Sequence, residues 1–298
     1  MSERLHVAGP EGRSIEVLVG GADAGPWLLF HGGSPSAVAE WARMDDTVRA
    51  AGLRLATYSR PGYGASTPRP QAGSFADDVA DSVAVLDHLG AATFLTAGWS
   101  GGGPRALACA AMLPDRCRAV ATIAGVAPYD TEGLDWFAGM AEENHEEYRA
   151  AEQGPEVYGR FLERDALDLL QASPDQVLEG MGGLVTPVDA AALDAGFADW
   201  MSRTFNHAAA QGVVGMRDDG LAAVAPWGFD LADIRVPVAV WQGRQDAMVP
   251  FEHGVWLAEH VPTAEARLLE DEGHLSLIVH LDRILADLIR LGGLGGAG

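Results

Sequence analysis

Three observations predict an α/β fold with a mostly parallel central sheet flanked by helices and interrupted by an inserted helical cap. Short apolar, β-leaning runs alternate with helical patterns up to about residue 125 and resume near residue 236, as in a parallel sheet covered on both faces. Between them, residues 126–230 turn helical, aromatic-spotted and acidic, and the alternation stops. A serine also stands among glycines, Gly98-Trp99-Ser100-Gly101-Gly102, where a strand pattern runs straight into a helical one. The predicted division is therefore a core of residues 1–125 and 231–298, with the cap at 126–230. A length of 298 residues with 48% hydrophobic content is enough for one such core plus an insertion.

The elements follow in order. Residues 14–20 read as an early antiparallel strand, and 26–30 as a strand running into His31-Gly32-Gly33-Ser34-Pro35. A helix is expected over 37–50, a strand over 53–58, and a helix over 74–89 with Ser74 as N-cap. Residues 92–97 form the strand before the glycine-flanked serine, 104–113 the alanine-rich buried helix after it, and 118–123 the next strand. Within the cap, Met181-Gly182-Gly183 followed by Thr186-Pro187 marks a break between helices. Residues 236–241 are a buried strand, Val249-Pro250 opens a helix, and 266–269 are a last short strand. The final helix is expected to begin at Leu275, and the glycine-rich residues 292–298 to be a frayed tail. No internal repeat is present.

The chemistry is concentrated at strand ends. A serine between glycines at a strand-to-helix turn is forced into a backbone that lifts its hydroxyl out of the sheet. Gly98 and Gly102 carry no side chain to collide where strand and helix pass closely. The helix starting just after Ser100 aims its amides and positive dipole end at an oxyanion forming there. A nucleophilic serine needs a base, and the base an orienting acid. Asp246 follows the strand at 236–241 in the polar loop Gln242-Gly243-Arg244-Gln245-Asp246. His274 lies in the loop Asp271-Glu272-Gly273-His274 after the last strand. Asp130 and Asp271 are the rivals for the acid. The first lies several residues past its strand, and the second is very near His274 in sequence. The amides of Gly33 and Gly101 are the expected oxyanion donors, with Ser34 a near alternative to Gly33.

Taken together, His31-Gly32-Gly33, Arg60-Pro61-Gly62-Tyr63-Gly64-Ala65-Ser66, the turn from Gly98 to Gly102, Gly243-Arg244-Gln245-Asp246 and Gly273-His274 resemble the α/β-hydrolase family over nearly the whole chain. The nearest resemblance is to capped serine hydrolases of high-GC actinobacteria. It implies the α/β-hydrolase fold with its inserted helical cap, and the order Ser100, Asp246, His274 is that family's order of nucleophile, acid and base. Serine as nucleophile argues against the dehalogenases and epoxide hydrolases of this fold, which attack with aspartate. One departure is Ser59, where relatives usually carry aspartate before the Arg-Pro-Gly-x-Gly turn.

Composition removes several other chemistries. All 20 basic residues are arginine, so there is no phosphate-loop lysine, no Schiff-base lysine and no serine–lysine dyad. With 42 acidic residues the net charge is −22, which repels nucleic acid and anionic membranes. No apolar run is long enough to cross a bilayer, and Met1-Ser2-Glu3-Arg4 leads into no signal-peptide core, so a cytoplasmic address is expected. Cys109 and Cys117 read as structural thiols. His253, His260, His274 and His280 do not make the His-x-x-x-His spacing of a zinc site, and His31 reads as a structural hydrogen-bonding residue. No metal and no cofactor is expected. The partner is a small-molecule substrate, and the sequence leaves the oligomeric state open.

The cap is the least legible part. Tyr129, Trp136, Phe137 and Met140 either glue the cap to the core or line an apolar substrate pocket, and Tyr129 and Trp136 are carried forward as candidate substrate contacts beside Trp99 and Ser34. Trp99 could equally pack behind the serine turn. Glu142, Glu143, Glu146 and Glu147 form an acidic helical face that is either solvated or, as in aminopeptidases of this fold, placed to meet a substrate amine. The expected activity is hydrolysis of a small or medium ester or lactone by Ser-His-Asp acyl transfer. The alternatives are an aminopeptidase, a carbon–carbon hydrolase or perhydrolase with the same triad, and, outside enzymes, a ligand-binding protein on the same fold.

Overall fold

The structure, a computed structural model, describes residues 2–294. Eight strands form one sheet in the order β1-β2-β4-β3-β5-β6-β7-β8. They are β1 Glu3–Ala8, β2 Ser14–Gly21, β3 Trp27–His31, β4 Arg54–Tyr58, β5 Phe94–Trp99, β6 Cys117–Ile123, β7 Val238–Gly243 and β8 Ala264–Leu269. β2 runs antiparallel to β1 and β4, and every pair from β4 to β8 is parallel. Every residue of β3, β5 and β7 is buried, which explains why these strands read as continuous apolar runs rather than alternating ones.

Alternate side chains of the central strands point to opposite faces. Leu28 and Phe30 of β3 and Ala239 and Trp241 of β7 join one core with Met44 and Val48 of α1 (Ala42–Ala50) and Ile284 and Leu288 of α12 (Leu281–Leu291). Trp27 and Leu29, with Val238 and Val240, join the other. That second core holds α2 (Asp78–His88), α3 (Gly103–Met112) and α11 (Phe251–His260).

Between β6 and β7 the chain carries helices only. These are α4 Glu142–Glu152, α5 Pro155–Asp165, α6 Leu167–Leu170, α7 Pro174–Gly180, α8 Pro187–Ala192, α9 Ala195–Ala208 and α10 Val214–Ala223. The expected break is present as a 3-10 turn, Gly182–Leu184, between α7 and α8. Aromatic stacking joins α9 to the start of α1, with Trp41 against Phe197 and Trp200.

The sequence reading needs four corrections. A first strand, β1, precedes the one expected at 14–20 and pairs along its whole length with β2. The helix expected over 37–50 starts at Ala42, because the preceding stretch is tied sideways: Ala37 N donates to Thr204 O and Val38 N to Ser59 Oγ. Ser74 caps no helix. It exchanges hydrogen bonds with Asp77 in a turn, and α2 begins at Asp78. The final helix begins at Leu281, after a 3-10 turn over Ser276–His280. Of the tail, Gly292 and Leu294 still make backbone hydrogen bonds to Leu288 and Ile289, and residues 295–298 lie outside the described residues.

Candidate active site

The register brings the ends of the parallel strands to one edge, with His31 opposite Gly98 and Gly243 opposite Leu269. The turns that carry Gly33, Ser100, Asp246 and His274 all leave the sheet there. Ser100 opens a 3-10 turn of three residues between β5 and α3, and it holds φ at 54°, a region that L-residues rarely occupy. The flanking glycines are required sterically. A Cβ on Gly98 would lie 2.1 Å from Gly102 O, and one on Gly102 would lie 2.1 Å from His31 O. Gly103 N donates to Ser100 O, which sets the plane of the Ser100–Gly101 peptide and hence the direction of the Gly101 amide.

His274 and Asp246 meet in a fully enclosed pair. His274 Nδ1 donates to Asp246 Oδ2 at 2.8 Å. The same oxygen accepts from Gln242 Nε2 at 3.0 Å, and Oδ1 accepts from the backbone amides of Met248 and Val249 at 2.8 Å each. Four donors hold the carboxylate in place, in a site where an unpaired charge would be costly. Burial alone would push the imidazole pKa down. The charge and hydrogen bond of Asp246, together with the charge of Asp189, hold it above the ordinary histidine range. His274 Nε2 has no hydrogen-bond partner among the described residues, and His274 and Ser100 line the same cavity. Asp130 and Asp271, the rivals for the acid, are both exposed.

The glycine turn after β3 lies against the serine. A Cβ on Gly33 would sit 3.3 Å from Ser100 Cβ, and one on Gly101 would sit 2.7 Å from Ser34 Oγ. Two buried arginines hold these turns from behind. Arg60 donates to Gly32 O at 2.8 Å and to Gly33 O at 2.7 Å, and Arg105 donates to Gly101 O at 2.6 Å. In a trans peptide the N–H points opposite to the C=O, so the bond to Gly32 O turns the Gly33 amide away from Arg60. Both arginines bind Asp219 of α10, which also accepts from Tyr63 Oη at 2.8 Å and from Ser34 Oγ. Their charges overcome burial and hold the Asp219 carboxyl at about 2.

Two cavities adjoin Ser100. One, of about 100 Å³, is mostly apolar and is lined by Phe30, Trp99, Met181, Trp200 and Phe205, together with Ser34 and His274. The other, of about 130 Å³, shares Ser34, Ser100, Met181 and Phe205, and adds Arg105, Asn144, Glu147 and Asp219. Trp99 stands at the junction of the first cavity and the turn of His274. It lines the first cavity, and its ring nitrogen donates to His274 O at 3.3 Å.

Tyr129 and Trp136 line neither cavity, which corrects their expected place in the pocket. They pack in an aromatic cluster with Phe137 and Tyr148, with Trp136 Nε1 bonded to Ala127 O and the Tyr129 hydroxyl bonded to Glu152. His31 is buried and pushed down to about 3 by burial and the charges of Arg105 and Arg60, so it stays neutral. Cys109 and Cys117 are both buried, and burial pushes the Cys109 thiol up to about 12. At the departure noted for the Arg-Pro-Gly-x-Gly turn, Ser59 donates to Glu16 of β2, which also accepts from Ala65 N. A carboxylate from another strand therefore holds that turn.

Sequence reasoning missed Gln242, Arg105, Asp219 and Asp189. Gln242 was read as the start of the polar loop, whereas it is a buried residue of β7, and its place four residues before Asp246 was the available signal. Asp219 and Asp189 act through contacts distant in sequence, and Arg105 joins its near neighbour Gly101 to Asp219 of α10. No helix among the described residues is long and apolar enough to cross a membrane.

A parallel sheet edge that carries a strained serine beside a buried histidine–carboxylate pair defines a hydrolase. Residues 26–281 match the family model of the alpha/beta hydrolase fold, and the chain belongs to that family. It is 28% identical over 284 residues to a 2-hydroxy-6-oxononadienedioate/2-hydroxy-6-oxononatrienedioate hydrolase of Cupriavidus pinatubonensis, covering 90% of this chain and 88% of the relative. It is 28% identical over 223 residues to a pimeloyl-[acyl-carrier protein] methyl ester esterase of Chromobacterium violaceum, covering 74% and 76%. Among solved structures, a thermophilic esterase from Thermogutta terrifontis superposes with a TM-score of 0.68 over 97% of this chain and 99% of that one, at 18% identity.

Proposed function

We propose that this protein is a serine hydrolase that cleaves a small or medium ester or lactone by two-step acyl transfer. Residues 126–230 serve as the cap over the pocket of a core formed by 1–125 and 231–298. The reading is carried by the 2.8 Å contact between Asp246 and Nδ1 of His274, a residue that lines the same cavity as Ser100. His274 Nε2 takes the Ser100 proton as Oγ bonds to the carbonyl carbon, and Asp246 fixes the tautomer and stabilises the imidazolium. The amides of Gly33 and Gly101 hold the oxyanion. As the carbonyl reforms, the bond to the leaving alcohol breaks and that oxygen takes the proton from His274. Water then attacks the acyl-enzyme by the same route, releasing the acid and returning the proton to Ser100.

The charges around the pocket favour an uncharged substrate. Among the described residues Arg105 is the only arginine lining either cavity, and it is paired with Asp78 and Asp219. A dicarboxylate like the one in the first relative's name would meet Glu147 and Asp219 with no free cation. One observation favours a second reading, an aminopeptidase. Glu147 lines the second cavity, among the described residues accepts only from Tyr158 Oη at 2.6 Å, and is held above the usual carboxylate range by burial. A substrate ammonium would supply the counter-charge it lacks.

The first test is labelling by a fluorophosphonate probe, with Ser100→Ala and His274→Ala beside the parent. Labelling of the parent alone is expected, and a folded parent that stays unlabelled would bring the ligand-binding reading forward. The p-nitrophenyl esters of butyrate and of glutarate, the second carrying a free carboxylate, then separate neutral from anionic acyl groups. Alanine p-nitroanilide tests the amine. Butyrate should be cleaved fastest, and a preference for the anilide would move the assignment to the aminopeptidase.

A further inference from the structure

Asp189 lies outside every expected site, yet it is fully buried and has no cationic partner among the described residues. It is the third residue of α8, in the helical insertion. A carboxylate there often caps only its own helix, and Thr186 Oγ1 does donate to Asp189 Oδ2 at 3.2 Å. The remaining bonds run elsewhere. Oδ2 accepts from His274 N at 3.1 Å, while Oδ1 accepts from Leu275 N at 2.8 Å and Ser276 N at 2.9 Å. These amides open the 3-10 turn over Ser276–His280 and would otherwise be orphaned in the interior. The fit is also steric. A Cβ on Gly273 would come within 2.5 Å of Asp189 Oδ1, so the glycine before His274 makes room for this carboxylate.

We propose that Asp189 is a positioning residue for His274: a carboxylate from the insertion that clamps the turn carrying the base and places a second negative charge beside its imidazole. The inference rests on the serine-hydrolase reading of the same site. Two charged groups act on the ring, Asp246 from the turn after β7 and Asp189 from α8, and the neighbouring Trp99 and Ser100 are uncharged. Asp246 fixes the ring through its side chain, whereas Asp189 fixes the peptide on which the ring stands. The insertion therefore covers the pocket and also sets the register of the base.

The test compares the parent with Asp189→Asn on p-nitrophenyl butyrate. Asparagine can still accept from Leu275 and Ser276, but its amide then faces the His274 N–H as a second donor. We expect kcat to fall about 10- to 100-fold, as for a displaced catalytic group, with KM within about twofold. The acid limb of the kcat/KM profile should move to lower pH, because the imidazolium loses a stabilising charge. Amide hydrogen exchange at 274–276 should accelerate. A folded variant with unchanged kcat and an unmoved limb would reduce Asp189 to a helix cap and overturn the proposal. Should Asp189→Asn not fold, Thr186→Val loosens the carboxylate while keeping its charge. There kcat should fall with the limb in place, and an unchanged kcat overturns the proposal. A parent that neither labels with fluorophosphonate nor hydrolyses the ester fails the serine-hydrolase reading itself. An active parent with an indifferent Asp189 variant fails this inference alone.

Discussion

The turn between β5 and α3 and the helical insertion both line the two cavities beside Ser100, but they are built on different principles. The turn is local. Gly98, Ser100 and Gly102 meet within five residues, and the close approaches that demand glycine are to backbone atoms of the same turn and of His31. The insertion works at long range. Asp189 reaches His274 and Asp219 reaches Arg60, so each acts on a part of the chain distant from it in sequence. Chemistry imposed by backbone geometry leaves a spacing in the sequence. Chemistry imposed by packing leaves isolated aspartates among many.

The sharpest way to break this comparison is to disable the pair held by the sheet edge. Asp246→Asn keeps the volume and removes the charge that orients His274 Nδ1–H, so kcat should fall by about 10⁴-fold. The pH profile carries a second signature. In the parent, His274 must be neutral to act as base, and its pKa is held above the ordinary value, so kcat/KM should rise with pH through that raised pKa. In the variant the residual limb should move to lower pH. Steady-state rates from pH 5 to 9 check both, and a loss below about tenfold would mean that another group orients the histidine.

A smaller effect is expected from the insertion side. Asp219→Asn leaves Arg60 and Arg105 bound to the carbonyls of Gly32, Gly33 and Gly101 but without their common counter-charge. Removing one partner of a buried ion cluster destabilises by about 3–5 kcal/mol, so Tm should drop measurably. In the folded fraction kcat should fall by about tenfold as the oxyanion donors loosen, less than the 10²- to 10³-fold loss of a donor itself. The parent also has an acid-side signature. Asp219 is held at about 2, so its stabilisation is present above the unfolded carboxylate value of ~3.9 and is lost as pH falls through about 2. Calorimetry between pH 2 and 5 should show this dependence flattened in the variant. A kcat equal to the parent's would mean that the arginines hold the turns unaided.

How much was legible follows from the same distinction. The order of strands from residue 14 onward, the strained serine, and the loops of Asp246 and His274 were readable because each combines an apolar run with glycines at fixed offsets. The helix boundaries at Ala42 and Asp78 were not, because groups distant in sequence decide them: the hydroxyl of Ser59 accepts from Val38 N, and the backbone carbonyl of Trp227 accepts from Ala76 N. β1 was missed because its apolar alternation is limited to Leu5 and Val7 among Glu3, Arg4 and His6, and only Val7 is buried. In the insertion, helical character was legible and helix orientation was not. That is why Glu147, read only as one of four acidic residues on a helical face, turns out to line the second cavity while Glu142 and Glu143 stay exposed.

The smallest effect is expected where aromatic residues looked most like a pocket. Tyr129 stacks edge-on against Trp136 and Phe137, and its hydroxyl bonds only to Glu152, away from both cavities. Tyr129→Phe keeps the ring and removes one hydrogen bond to a carboxylate near the surface, a loss of about 1 kcal/mol or less. KM and kcat for p-nitrophenyl butyrate should stay within about twofold of the parent, with a shift of a degree or two in Tm. The contrast is with Trp99→Leu, which opens the first cavity and removes the bond to His274 O, and so should change both constants. A tenfold rise in KM for Tyr129→Phe with Tm unchanged would place Tyr129 at the substrate. The division between cap glue and pocket wall would then have to be redrawn through the aromatic cluster.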